Sequence, residues 1–123
     1  MRFRMDVSKK GLLMFFNEWQ VSVLKLIWQN HPEGLDIKTV WDMVNQGLDR
    51  KISRSSVTKF VNEMVDRGFL GFEEEIDRGG ARRFYYSIYK EVEFKRSLVD
   101  YIINKFLSEF PKATRIAIDK ANS

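Results

Sequence analysis

Ser53-Arg54-Ser55-Ser56-Val57-Thr58-Lys59-Phe60-Val61-Asn62-Glu63-Met64-Val65-Asp66-Arg67-Gly68-Phe69-Leu70 is the stretch that decides the fold. Val57, Phe60, Val61, Met64 and Val65 fall at helical spacing and form one apolar stripe. Arg54, Ser55, Thr58, Lys59 and Asn62 gather toward the N-terminal half of the opposite face. These side chains are of the types that bond phosphates and base edges. Ser53 is placed to cap the start, and Gly68 to stop the helix in a left-handed turn. By itself the segment also suits an ordinary amphipathic surface helix; its neighbours decide between the two.

Upstream, Asn17 and Asp36 are N-cap candidates. Asn17 precedes a broad apolar face of Trp19, Val23, Leu26 and Ile27, and Asp36 precedes Ile37, Val40, Trp41, Val44 and Leu48. His31-Pro32-Glu33-Gly34 separates these two helices as a turn, because Pro32 biases His31 away from helical geometry. Downstream of Gly68 the period shortens from helical to two. Phe69 to Ile76 reads as a strand, Asp77-Arg78-Gly79-Gly80 as a hairpin turn, and Arg82 to Tyr89 as a returning aromatic strand. Three helices followed by a β-hairpin is the order of a winged helix-turn-helix. The expected fold is therefore mainly α with a small β-hairpin.

A further helix is expected over residues 91–110, with more apolar residues than one stripe can hold. Phe94, Leu98, Tyr101 and Ile102 make one face; Val99, Ile103, Phe106 and Phe110 make another. Two apolar faces ask for two covers, one of them a second chain, the alternative being the N-terminal arm folded back over the spare stripe. This predicts a homodimer joined through a C-terminal dimerisation helix, with Leu98, Tyr101, Ile102 and Phe106 leading the interface and Phe94 near one end. Which face turns outward stays open. Residues 1–16, where Arg2, Arg4, Lys9 and Lys10 outnumber Asp6, read as an N-terminal arm or short strand. Residues 17–90 form the winged domain, and 111–123 a polar, basic tail that frays after Pro111.

Composition narrows the function. A hydrophobic fraction of 44% supplies a core, so disorder is not expected. The net charge of +4 favours an anionic partner, tempered by 17 acidic residues. With no cysteine there is no disulfide, thiolate nucleophile or thiolate metal site. The one histidine, His31, sits in a turn without a partner at ligand spacing. Glu73-Glu74-Glu75 alternate sides on a strand, so they read as a solvated edge rather than a carboxylate pair. No enzyme, metal or cofactor is expected. The apolar run Leu12 to Phe16 is too short for a membrane span or signal-peptide core, which points to the cytoplasm.

Several segments are similar to those of one family. Phe16-Asn17-Glu18-Trp19-Gln20-Val21-Ser22-Val23-Leu24-Lys25-Leu26-Ile27-Trp28 resembles the first helix of the penicillinase-repressor (methicillin-resistance repressor) family. So do Ile37-Lys38-Thr39-Val40-Trp41, Ser53-Arg54-Ser55-Ser56-Val57 and Val65-Asp66-Arg67-Gly68-Phe69-Leu70. The resemblance covers residues 15–90 and implies a homodimeric transcriptional repressor acting on palindromic operators. Two departures stand out. The family's regulatory proteolysis cuts an Asn-Phe bond, and this chain has no such dipeptide; its copper-responsive relatives carry a C-terminal cysteine motif, absent here. The C-terminal region also reads as one long helix. The family's inducing mechanism is not carried over.

The expected partner is double-stranded DNA, with Arg54, Ser55, Ser56, Thr58 and Lys59 in the major groove and Arg78, Arg82 and Arg83 on the wing. A winged-helix protein-interaction module and an RNA- or replication-associated winged domain are the alternatives.

Overall fold

Each of the first three helices begins where a polar side chain takes over an orphaned backbone N–H. In the computed structural model, which describes residues 4–123, α1 (Glu18–Gln29) opens on a reciprocal pair. Gln20 N–H donates to Asn17 Oδ1, and Asn17 N–H donates back to Gln20 Oε1, both at 3.0 Å. Thr39 N–H donates to Asp36 Oδ1 at 3.0 Å and starts α2 (Ile37–Gln46). Ser56 N–H donates to Ser53 Oγ at 3.1 Å and starts α3 (Arg54–Asp66). α3 stops at Gly68, whose φ of +83° is left-handed and costs glycine no Cβ clash.

Two antiparallel strands follow, β1 (Leu70–Asp77) and β2 (Gly80–Ser87), in register from Leu70 opposite Ser87 to Asp77 opposite Gly80. Gly80 alone takes a positive φ at this turn, +107°, while Gly79 N–H donates to Asp77 Oδ1 at 2.8 Å. Leu35, just before α2, adds one rung beside β2: its N–H and C=O exchange hydrogen bonds with Tyr85, both at 2.8 Å.

The residues up to Lys90 form one compact unit. Val23, Leu24 and Ile27 of α1, Val40 and Val44 of α2, and Val57, Phe60, Val61 and Met64 of α3 are buried in it. Burying each such side chain stabilises the fold by roughly 1.5–3 kcal/mol before conformational entropy is set against it. Phe16 is buried too, its ring edge-on to Phe60 at 5.9 Å, and Trp19 meets Phe60 at 5.6 Å.

Residues 49–52, between α2 and α3, are held by side chains of α2. Asn45 donates from Nδ2 to the Ile52 carbonyl at 3.2 Å and accepts the Ile52 N–H at 2.9 Å. Trp41 Nε1 donates to the same carbonyl at 2.8 Å. Lys51 Nζ donates to the Asn45 and Leu48 carbonyls, satisfying the C-terminal end of α2.

The N-terminal arm departs from a strand. Arg2 and Phe3 lie outside the described residues. Asp6 accepts from the N–H and hydroxyl of Ser8 at 3.0 and 2.6 Å, which bends the chain where an extended Met5–Val7 was expected. A 3-10 turn over Gly11–Met14 follows, and Asp6 N–H donates to the Met14 carbonyl at 2.7 Å.

The second unit, Glu91 to Ser123, holds two helices, α4 (Glu91–Glu109) and α5 (Pro111–Ala121). Two expectations are corrected here. The C-terminal region is not a single helix, and residues 111–121 are helical rather than a frayed tail. Pro111 ends α4 yet occupies the first turn of α5, where its missing N–H costs nothing. Thr114 is buried and Ile118 half-buried, so α5 has a covered side. The interface expectation also changes. Phe94 and Leu98 are buried within a single chain, so they do not offer a surface for a second one. Val92, Val99, Phe106 and Phe110, with Tyr101, are the large exposed apolar residues of 91–110, and Ile116 is exposed on α5.

Asn45→Ala should destabilise the protein by about 1–3 kcal/mol, since it strands the Ile52 N–H near the core and leaves the Ile52 carbonyl with Trp41 as its one side-chain donor. Urea unfolding with an unchanged m-value would show it; a loss under about 0.5 kcal/mol would mean that Trp41 holds the link alone.

Candidate nucleic-acid interface

The apolar stripe of α3 is spent on the core, and what remains outward is its N-terminal half. Arg54, Ser55, Ser56 and Lys59 are exposed there. The hydroxyls of Ser55 and Ser56 lie 3.1 and 2.8 Å from Ser53 Oγ, so the three serines form one cluster around the cap. Thr58 is half-buried, and its hydroxyl donates to the Arg54 carbonyl at 3.0 Å, one turn back. Its proton is thereby used within α3. Asn62, at first grouped with the polar face, belongs to the fold: Tyr85, buried on β2, donates its hydroxyl to Asn62 Oδ1 at 2.8 Å. Arg54 and Lys59 are thus the side chains of this face with both the reach and the charge for a nucleic acid.

The wing separates its arginines. Arg78 lies in the exposed two-residue tip between β1 and β2. The register sets Arg83 opposite Glu74, and the two form an ion pair at 3.3 Å, with the Arg83 guanidinium 4.1 Å over the Phe72 ring. Glu74 is therefore a partner rather than a bare solvated carboxylate. Arg82 turns the other way, to Asp36 Oδ2 at 3.8 Å. The expected trio at the tip is in fact one arginine at the tip and two along β2, because a cross-strand pair is fixed by register and not by sequence distance.

Arg82 joins a cleft that residue order did not reveal. Asp36, Lys38, Arg54, Arg82 and Arg83 line it, with Tyr85 at its wall. Lys38 was missed. Its one legible signal was its place in the first turn of α2, two residues after a cap. Asp36 is the acid of this cleft. Burial pushes its carboxyl up, but the Thr39 hydrogen bonds and the Arg82 and Arg54 guanidiniums outweigh that and hold it below the usual carboxylate range.

A half-buried recognition-type helix, an Arg-tipped hairpin beside it and a basic cleft at its N-terminal end define a winged helix-turn-helix regulator of transcription that binds DNA. The chain belongs to the penicillinase repressor family, whose pattern matches residues 17–121. Members of this class are regulators, not enzymes. No curated protein matches it. Among solved structures, the Thermoplasma acidophilum protein TA0346, described as a transcriptional regulator by assignment, is similar at 16% identity, over 73% of this chain and 90% of that one, with a TM-score of 0.53. A protein of Methanosarcina mazei Go1, also described as a transcriptional regulator, is similar at 13% identity, over 79% and 78%, with a TM-score of 0.57. At such identities the likeness concerns the fold alone.

The depressed Asp36 carboxyl ties stability to acid. Around the ordinary carboxylate pKa of 3.8 the unfolded chain binds the proton more readily than the folded one, so the contribution of Asp36 is present above that pH. It is lost as pH falls through the lower folded value. Asp36→Asn keeps a capping oxygen and removes the titration. The variant should lose less stability than the wild type between about pH 5 and pH 2, as read by thermal melts. Parallel losses would refute the assignment.

Proposed function

We propose that this chain is a homodimeric repressor that binds an inverted-repeat operator in double-stranded DNA and acts in the cytoplasm. One observation carries the reading: Arg54, at the exposed start of α3, shares a cleft with Arg82 of the wing and Lys38 of α2. Cations from α2, α3 and β2 converge where a duplex seated against α3 presents its phosphates. Arg54 then reads a guanine edge in the major groove, with Ser55, Ser56, Thr58 and Lys59 around it. Arg78 reaches the backbone or minor groove, and Arg82 supports Arg54 from the wing. Arg83, tied to Glu74 and Phe72, serves mainly to stiffen the hairpin. No helix among the described residues is long and apolar enough to cross a membrane.

The dimer rests on the exposed apolar residues Val99, Tyr101, Phe106 and Phe110, with half-buried Ile102 beside them. Large apolar side chains left at this density on one helix ask for a partner surface. A two-fold dimer dictates an inverted repeat, and to enter successive major grooves on one side of the duplex its two α3 helices must stand about 34–36 Å apart, or a multiple of that.

Selection of bound sequences from a random duplex pool tests the reading, with RNA of matched sequence as competitor. Arg54→Ala should relax base preference at one position per half-site, at a cost of about 1–3 kcal/mol in discrimination. Arg78→Ala should weaken all duplexes alike and shallow the salt slope by about one contact, near 0.9. If both variants act alike on every sequence, α3 does not read bases.

Sedimentation at micromolar concentration tests the dimer. The wild type should sediment as a dimer, and Phe106→Lys should shift it toward monomer. A wild-type mass that stays monomeric as concentration rises would remove both the dimer and the palindrome.

A further inference from the structure

Asp36 is an odd neighbour for a DNA-facing cleft. Its side chain is 16% exposed, against 60% for Arg82, and it stands among Lys38, Arg54, Arg82 and Arg83, the last already paired with Glu74. One oxygen is committed: Oδ1 accepts the Thr39 N–H at 3.0 Å. The other, Oδ2, lies 3.8 Å from Arg82 Nη1, within ion-pair range but beyond a hydrogen bond. The carboxylate is therefore fixed in place by the α2 cap, while its hold on Arg82 is loose enough to be shared with an incoming phosphate. A fixed anion here does two things to bound DNA. It repels any phosphate that enters the cleft, and it gives Arg82 and Arg54 a reference charge that orients them.

We propose that Asp36 is a specificity-determining residue, which lowers affinity for DNA in general while aiming Arg82 and Arg54 at the cognate site. The inference rests on the DNA-binding reading above. On an unrelated duplex, binding is mostly phosphate electrostatics, so the carboxylate opposes it without return. On a cognate duplex, the repulsion is offset because Arg54 is held ready for its base and less side-chain freedom is lost on binding. Cap and charge are separable: asparagine and serine both cap helices, and neither carries charge.

The experiment compares two duplexes, the sequence selected by the wild type and a scrambled duplex of equal length and composition. Asp36→Asn should raise affinity for the scrambled duplex about tenfold near 0.1 M salt and steepen its salt slope by about 0.9. Affinity for the selected duplex should change less than about threefold, so the ratio of the two falls. Asp36→Ser should move the ratio in the same direction, and it decides the matter should the asparagine variant fail to fold. In an Arg82→Gln background the effect of Asp36→Asn on the ratio should shrink. Equal gains on both duplexes would reduce Asp36 to a background charge and overturn the proposal; so would an unchanged ratio, or a full effect without Arg82. A wild type that binds neither duplex in a salt-dependent way would instead overturn the DNA-binding reading, and this proposal with it.

Discussion

The carboxamide of Asn45 holds both polar groups of the Ile52 peptide, and the presentation of α3 depends on it. A link of a few residues between two helices has no secondary structure to satisfy its backbone. Here the last turn of α2 serves as its template: Asn45 takes the N–H and C=O of Ile52, Trp41 adds a second donor, and Lys51 returns to the carbonyls of α2. Ser53 follows immediately, and its hydroxyl starts α3. The direction in which Arg54 leaves the surface is thus set by a buried amide on a different helix. Such a network is costly to leave half-made, and so it specifies one geometry rather than several.

Charge on the same surface is arranged with equal economy. The chain carries 21 basic and 17 acidic residues. It pairs acids with those bases whose place is along a strand or beside a cap, Glu74 with Arg83 and Asp36 with Arg82, and leaves Arg78 and Lys59 outward. Exposed pairs such as Glu74–Arg83 add little stability, about 0–1 kcal/mol each. Their effect is to decide which cations remain available and in what orientation.

Local signals in the sequence were enough for most of the fold. Asn17, Asp36, Ser53 and Gly68 mark helix ends through chemistry confined to a few neighbouring residues, and the change of period after Gly68 announces the hairpin. The pairings were not legible, because they depend on distances across the chain. The register that unites Arg83 with Glu74, the rung that brings Leu35 and hence Asp36 to β2, and the bond that draws Asn62 into the core all join residues far apart in sequence. Pro111 misled for another reason. Proline ends one helix as readily as it begins the next, and only the covered side chains beyond it tell the two apart. The same limit applied to α4, where two apolar faces were visible but burial of Phe94 and Leu98 was needed to say which turned inward.

The two sides of α3 answer to different demands. Val57, Phe60, Val61 and Met64 are confined by the core, whereas the Arg54 and Lys59 side chains are exposed and outside it. Substitution at those outward positions changes what the helix can recognise at small cost in folding free energy. Duplicated copies of such a gene could therefore diverge toward new target sites by single steps, each passing through a stable protein. Thr58 and Asn62, bonded back to the helix and to the hairpin, mark where that freedom ends.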